Sequence, residues 1–225
     1  MRNASHRPPP PRPRVATSLN AAQTAHQEAV LAVQAVNTQL LEALVDAAHA
    51  ADARFPLAHL LRSRFAALDT AERAAMSQCG VLLADAGFSM PHRWSGEIPE
   101  RSMHRVAEEA PHWLAPERDS SLAHSTLLVA WYVVRISPAV ADILLGMPRA
   151  VSVSFVKYSI RDLALIAQTH PGLIVPRWAH RTDIWDDLLA LATAKKEPGR
   201  GSLTLRCLQL SADLPESNRA HSLPT

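Results

Sequence analysis

Residues 120–136, SSLAHSTLLVAWYVVRI, decide the class of fold that this sequence can adopt. The run Leu127–Val134 is almost entirely apolar, and a helix that leaves so little polar face belongs in a core or an interface. This run is about half as long as a helix that crosses a bilayer. We therefore expect a buried helix at 120–136 and no membrane segment.

Short helices are predicted to follow it. Ser137 and Pro138 place an N-cap before a proline at the first helical position, and Gly146 suits a left-handed stop. A further short segment starts after Pro148. These signals predict several short helices joined by tight turns in the C-terminal half.

Two more helices complete this half. Ser159 and Asp162 have the spacing of a capping box. The helix that they open is predicted to bury Ile160, Leu163, Ile166 and Ala167. Thr182 caps a last helix, which is predicted to bury Ile184, Trp185, Leu188, Leu189 and Leu191.

The N-terminal half has the same helical periodicity. Apolar residues recur at intervals of three and four between residues 20 and 52, so that they share one helix face; they are Val33, Val36, Leu40, Leu44 and Ala47. Such a helix serves in oligomerisation or packs on its own domain. Pro56 starts a second helix. A capping box at Asp69 and Glu72 opens a third, which runs into Cys79, and Gly87 closes the segment.

The amino-acid composition argues against some functional classes. The formal net charge is +2, so the chain as a whole is no polycation, and the 7 glycines leave little material for phosphate-cradling loops. Residues 1–18 hold four arginines and a run of prolines, with no acidic residue before Glu28. They predict a flexible arm, either touching phosphates or simply solvated.

These observations divide the chain into a disordered basic tail (1–18), an N-terminal helical region (19–88), an irregular linker (89–119) with a short helix over 101–110, a C-terminal helical domain (120–194) and a largely flexible extension (195–225). The predicted fold is all-α, a multi-helix bundle with short helices in its C-terminal half. One small two-stranded β element is allowed. In it, Leu173–Val175 would pair with Leu203–Cys207, unless the latter is a loose tail. We detect no internal repeat.

No arrangement of catalytic or metal-binding residues stands out. His104 and Glu108 lie four residues apart, but two ligands do not make a zinc site. Neither a nucleophile elbow nor a phosphate-binding glycine loop occurs. Cys79 and Cys207 lie among apolar residues and are predicted to be two buried, reduced thiols in preference to a disulfide. We expect no enzyme, no cofactor, no metal and no small-molecule substrate.

The most suggestive cluster is basic and aromatic. Arg177, Trp178, His180 and Arg181 lie close together in sequence, with Lys157 and Arg161 upstream, and arginines near an aromatic ring can hold phosphates and stack on bases. The lysine and the three arginines are the predicted nucleic-acid contacts. The alternative is that Trp178 anchors the core while the arginines are solvated or pair with nearby aspartates.

Part of the C-terminal half resembles the FlhD subunit family of the flagellar master regulator. The similar residues are Leu145-Gly146, Ser159–Leu163 leading into Ile166–Thr169, Leu173–Val175 and Arg177-Trp178. The resemblance implies an all-α protein that assembles with a partner subunit, binds promoter DNA and activates transcription. It spans residues 125–190. The family is about half as long as this chain, so residues 1–120 have no counterpart in it.

We therefore expect a cytoplasmic, non-enzymatic regulatory protein, a DNA-binding transcriptional regulator subunit acting in an oligomer. Its partners would be DNA and either a second protein or another copy of itself. The alternative is an adaptor or chaperone-like component of a secretion or motility system. A continuous basic face favours DNA, whereas an exposed apolar patch favours an adaptor.

Overall fold

A computed structural model describes residues 15–50, 56–94, 116–194 and 202–210 of the 225-residue chain. The tail before residue 15, the predicted helix at 101–110 and the chain after residue 210 lie outside the described residues. The first helix begins at Val15, inside the segment predicted as a tail.

The described residues of the N-terminal half form five helices and one strand. In chain order they are α1 (Val15–Ala50), α2 (Pro56–Leu60), α3 (Arg62–Ala67), α4 (Thr70–Ser77), β1 (Ala84–Asp85) and α5 (Pro91–Trp94).

The C-terminal half continues with α6 (Pro116–Ile136), α7 (Pro138–Leu145), α8 (Arg149–Phe155), α9 (Ile160–Thr169), a 3-10 turn at Pro171–Leu173, β2 (Val175–Pro176) and α10 (Thr182–Ala192). Residues 202–210 form a further helix, α11. Helices account for 77% of the described residues, so the predicted all-α fold with one small β element is confirmed.

The predicted helix caps form as their sequences indicate. The Asp69 side chain accepts a hydrogen bond from Glu72 N at 2.8 Å, and the Glu72 side chain accepts one from Asp69 N at 2.9 Å. Ser159 and Asp162 make the same reciprocal pair at the start of α9. Gly146 ends α7 with φ of 63°, a conformation that glycine adopts without steric cost.

Neither alternative predicted for Leu203–Cys207, an edge strand or a loose tail, is correct. These residues lie in α11, and the strand partner of β2 is β1, with Asp85 opposite Val175 in an antiparallel pair. Leu203, Cys207 and Leu210 are buried while Leu205 is 58% exposed. Apolar residues four and three positions apart share a helix face, which explains why this segment is helical despite its short alternating pattern.

Both halves contribute to one hydrophobic core. The long helix α1 packs along α6, and α4 packs against α10. The largest fully buried side chains come from both halves: Phe65, Phe88 and Trp94 from the first, Phe155 and Trp185 from the second. The regions 19–88 and 120–194 thus stabilise each other through a shared interior.

Among the described residues, no single helix combines the length and the apolar character needed to cross a membrane. The pair α7 and α8 meets those criteria of length and composition jointly, and a bend of 111° separates the two helices.

Candidate interaction surface

The four predicted cations lie in different environments, and Arg177 is the one that is buried. Its side chain is 7% exposed and packs against the end of α7 at Gly146. Burial lowers the pKa of this guanidinium, and the nearby Asp85 carboxylate acts in the opposite sense. The prediction that Arg177 contacts a phosphate is therefore wrong, because nucleic acid cannot reach it.

Arg177 instead joins parts of the core. Its Nη1 lies 3.5 Å from the Leu82 carbonyl oxygen, and its guanidinium lies 5.0 Å from the centre of the Trp178 ring. Its backbone carbonyl accepts a hydrogen bond from Trp185 Nε1 at 2.8 Å. One residue thus connects the β1–β2 region, α7 and α10.

Arg181 is exposed, but its charge has a partner. Its Nε and Nη2 donate to the two oxygens of Asp183 at 2.9 and 2.7 Å. This hydrogen-bonded pair lowers the pKa of Asp183 and raises the pKa of Arg181. The pairing with a nearby aspartate matches the alternative interpretation of this arginine more closely than a phosphate contact.

Lys157 and Arg161 are exposed, on the two sides of the turn between α8 and α9. The capping box of Ser159 and Asp162 fixes this turn. The hydrogen bond from Ser159 lowers the pKa of Asp162, so its carboxylate stays charged beside Arg161. This turn brings two of the four predicted cations together and leaves the other two elsewhere.

Large aliphatic side chains share the surface with these two cations. Val153 is 54% exposed and Val156 36% in the α8 region, while Ile160 is 51% and Leu165 53% exposed on α9. The prediction that α9 buries Ile160 is wrong, because Ile160 is the first helical residue and points outward while Leu163 and Ile166 face the core. We call the set Val153, Val156, Lys157, Ile160, Arg161 and Leu165 the α8–α9 surface.

Spacing along the chain places members of this surface on shared helix faces. Val153 and Val156 lie three residues apart, and Arg161 and Leu165 lie four apart, so each pair shares a helix face. The turn at residues 156–159 joins the two faces. Exposed aliphatic groups rimmed by polar ones mark interaction sites more often than ordinary surface.

A cleft of about 390 Å³ opens elsewhere, between α1, α4 and α6. Its lining includes the charged residues Glu42, Asp46 and Arg73 and the hydroxyl of Ser121, and none of the described cysteines or histidines borders it. Within the described ranges, no group of three or more potential metal ligands comes together.

The two cysteines meet in the interior. Cys79 and Cys207 are both free thiols with no exposed surface, as predicted, although 128 positions (79 to 207) separate them in sequence. A hydrogen bond between them and their burial hold the pKa of Cys207 above its ordinary value, which keeps this thiol protonated. The pair attaches α11 to the bend after α4.

Comparison with models of protein families, with curated proteins and with solved structures finds no match to this chain.

The sequence did not single out the aliphatic members of the α8–α9 surface. The capping box at Ser159 contained the missing signal, because it sets the phase of α9 and so places Ile160 and Arg161 in its outward-facing first turn. Val153 and Val156 gave no such signal, since apolar residues of a short helix can face either way.

Proposed function

We propose that this chain is a non-enzymatic regulatory subunit that docks a partner protein through the α8–α9 surface. The observation that carries the proposal is the exposure of four aliphatic side chains interleaved with Lys157 and Arg161. The partner that fits this chemistry is an amphipathic helix, with apolar residues toward the surface and acidic residues at its edge.

The balance of chemistry favours a protein partner over DNA. A DNA-binding face gains its affinity from several cations near phosphates. Of the four predicted contacts, Arg177 is buried and Arg181 is paired with Asp183, which leaves Lys157 and Arg161. Two cations among four aliphatic groups suit an acidic, partly apolar ligand better than a phosphate backbone.

The expected affinity is moderate. Completing the burial of side chains that are already half-buried contributes about 1 kcal/mol each. A micromolar complex needs about 8 kcal/mol after the cost of association. The aliphatic groups therefore require the two cations and further contacts of the partner helix, so that loss of either kind of contact should weaken binding measurably.

The test uses the full chain and a fluorescent helical peptide with leucines on one face and glutamates on the other. Anisotropy titrations should show binding that weakens at least tenfold, about 1.4 kcal/mol, in the K157E/R161E variant. The control is A67E/A71E, which places two glutamates at the corresponding positions around the other capping box, at Asp69.

Three outcomes would contradict the proposal. The first is equal binding of a peptide with lysines in place of the glutamates. The second is equal weakening by A67E/A71E. The third is failure of the glutamate peptide to bind while a DNA duplex binds with a steep salt dependence that K157E/R161E abolishes, which would restore the DNA-binding alternative.

A further inference from the structure

The order of elements in the N-terminal half recurs in the C-terminal half. Each half begins with a long helix, α1 or α6, and continues with a short helix that starts at a proline. Among the described residues, a second short helix, a helix opened by a capping box, a two-residue strand and one further helix follow in each. The series α1–α5 with β1 therefore corresponds to α6–α10 with β2.

Local landmarks recur at a nearly constant interval. The capping residues Asp69 and Ser159 lie 90 positions apart (69 and 159). The buried indole rings Trp94 and Trp185 lie 91 apart (94 and 185), as do the starts of α5 and α10. The interval differs by one residue between caps and tryptophans, as a single insertion between α9 and β2 would produce.

A backbone anomaly fits the same interval. Trp178 has φ of 58°, and among the described residues it is the only non-glycine with positive φ. Its counterpart 91 positions earlier is Gly87, with φ of 70°. The turn after each strand thus has the same left-handed residue, which costs about 1–2 kcal/mol when it is not glycine.

Packing between the halves is reciprocal. The Trp94 ring of the first half lies 4.8 Å from the Phe155 ring of the second, between centroids. The Trp185 ring of the second half lies 5.9 Å from Phe65 of the first. Phe65 and Phe155 are 90 positions apart (65 and 155), so they are equivalent residues of the two halves. In each contact, the tryptophan of one half therefore packs on the equivalent phenylalanine of the other half.

Several further contacts obey the same exchange, whereas the packing of α4 against α10 has no contact of similar extent between α9 and α5. Helix α5 packs on α8, and its counterpart α10 packs on α3. The strands β1 and β2 correspond to each other and pair antiparallel, and the long helices α1 and α6 correspond and pack together. Elements that pair with their own counterparts lie where a two-fold axis would pass.

We infer that the chain is two copies of one structural unit, α1–α5 with β1 and α6–α10 with β2, folded as a single-chain two-fold dimer. Each copy packs its tryptophan helix, α5 with Trp94 or α10 with Trp185, on the other copy. This inference is independent of the docking proposal. The two copies share few identical residues. Their correspondence lies in the capping residues, the left-handed turns and the aromatic contacts.

The two copies differ at the surface. The positions 90 before Val153, Val156, Ile160 and Leu165 are Ser63, Ala66, Thr70 and Ala75, which are small or polar. Those before Lys157 and Arg161 are Ala67 and Ala71. If the α8–α9 surface docks a partner as proposed, the single-chain dimer offers this surface once, so one partner binds per chain.

The test measures distances between spin labels in the full chain. One variant is S63C/D183C; the other, H92C/V153C, is its counterpart with the copies exchanged. All four positions are exposed, whereas the native thiols are buried, so the wild-type chain serves as an unlabelled control. We expect the two double electron–electron resonance distances to coincide, and to be shorter than those of S63C/H92C and V153C/D183C. Different distances for the two cross-copy pairs would overturn the two-fold arrangement.

A second measurement keeps the inference falsifiable if labelling perturbs the fold. A protease site inserted between residues 105 and 106 allows the folded chain to be cut between the copies. The cut protein should keep the 24.5 kDa mass of the whole chain in light scattering, because the exchanged helices hold the copies together. Separation of the two fragments in native buffer would show that the helices are not exchanged.

Discussion

At the scale of single residues, Arg177 and Arg181 are alike in sequence and opposite in structure. Both belong to the basic cluster around Trp178. Arg177 lies in the interior beside the Leu82 carbonyl, while Arg181 forms a surface pair with Asp183. The sequence could not show which arginine is buried, because both carry the same charge. Arg177 is enclosed only when β1 pairs with β2.

Replacing these arginines should therefore have unequal effects on stability. Arg177→Ala removes a buried cation near Asp85, which keeps Arg93 as its remaining counter-charge, and opens a space against Gly146. We expect a loss of about 2–4 kcal/mol in the free energy of unfolding. Arg181→Ala should leave the urea midpoint almost unchanged, since an exposed pair contributes little. A larger loss for Arg181→Ala than for Arg177→Ala would refute this assignment.

Sequence reasoning at the residue scale succeeded where a local rule applies and failed where tertiary packing decides. The residues of both capping boxes were predictable, since their bonds are local. The burial of Arg177 and the exposure of Ile160 were not, because each depends on neighbours distant in sequence or on the phase of a helix.

At the scale of elements, the caps predict how stability depends on pH. The hydrogen bond from Ser159 lowers the pKa of Asp162 in the folded state, so its carboxylate stabilises α9 above its ordinary pKa of 3.8 and loses this effect as the pH falls below it. Asp162→Asn removes this titration. The difference in unfolding free energy between wild type and variant should therefore shrink from pH 6 to pH 3, and a constant difference would contradict the role of the cap.

The exchanged tryptophan helices predict a specific pattern of energetic coupling. Double-mutant cycles for Trp94 with Phe155, and for Trp185 with Phe65, should each give about 0.5–1.5 kcal/mol, the range for aromatic pairs. The alternative pairs within each copy, Trp94 with Phe65 and Trp185 with Phe155, should be additive. Coupling confined to the within-copy pairs would argue against exchange.

The sequence predicted whether a segment is helix or strand except where its apolar residues fit both the strand period of two and the helical spacing of four. The interval of two between Leu203, Leu205 and Cys207 suggested a strand, but Leu203 and Cys207 are also four residues apart. In the structure the segment is a helix, and its buried face includes Cys207, which contacts Cys79. The partner of β2 was missed because Ala84–Asp85 is too short to carry a strand pattern.

At the scale of the whole molecule, the shared core predicts cooperative unfolding. Tryptophan fluorescence reports on all five tryptophans, among them Trp94 and Trp185 in the contacts between the copies. Far-ultraviolet circular dichroism reports on all helices. The two signals should give one coincident transition in denaturant. Two separate transitions would indicate two independent cores.

The central functional claim is that the α8–α9 surface docks an acidic helical partner. Hydrogen–deuterium exchange of the full chain, with and without saturating glutamate-faced peptide, tests it most directly. We expect added protection at residues 149–165 and none at the corresponding residues 59–75. Protection centred on 59–75, or saturated binding without protection at 149–165, would refute docking at this surface.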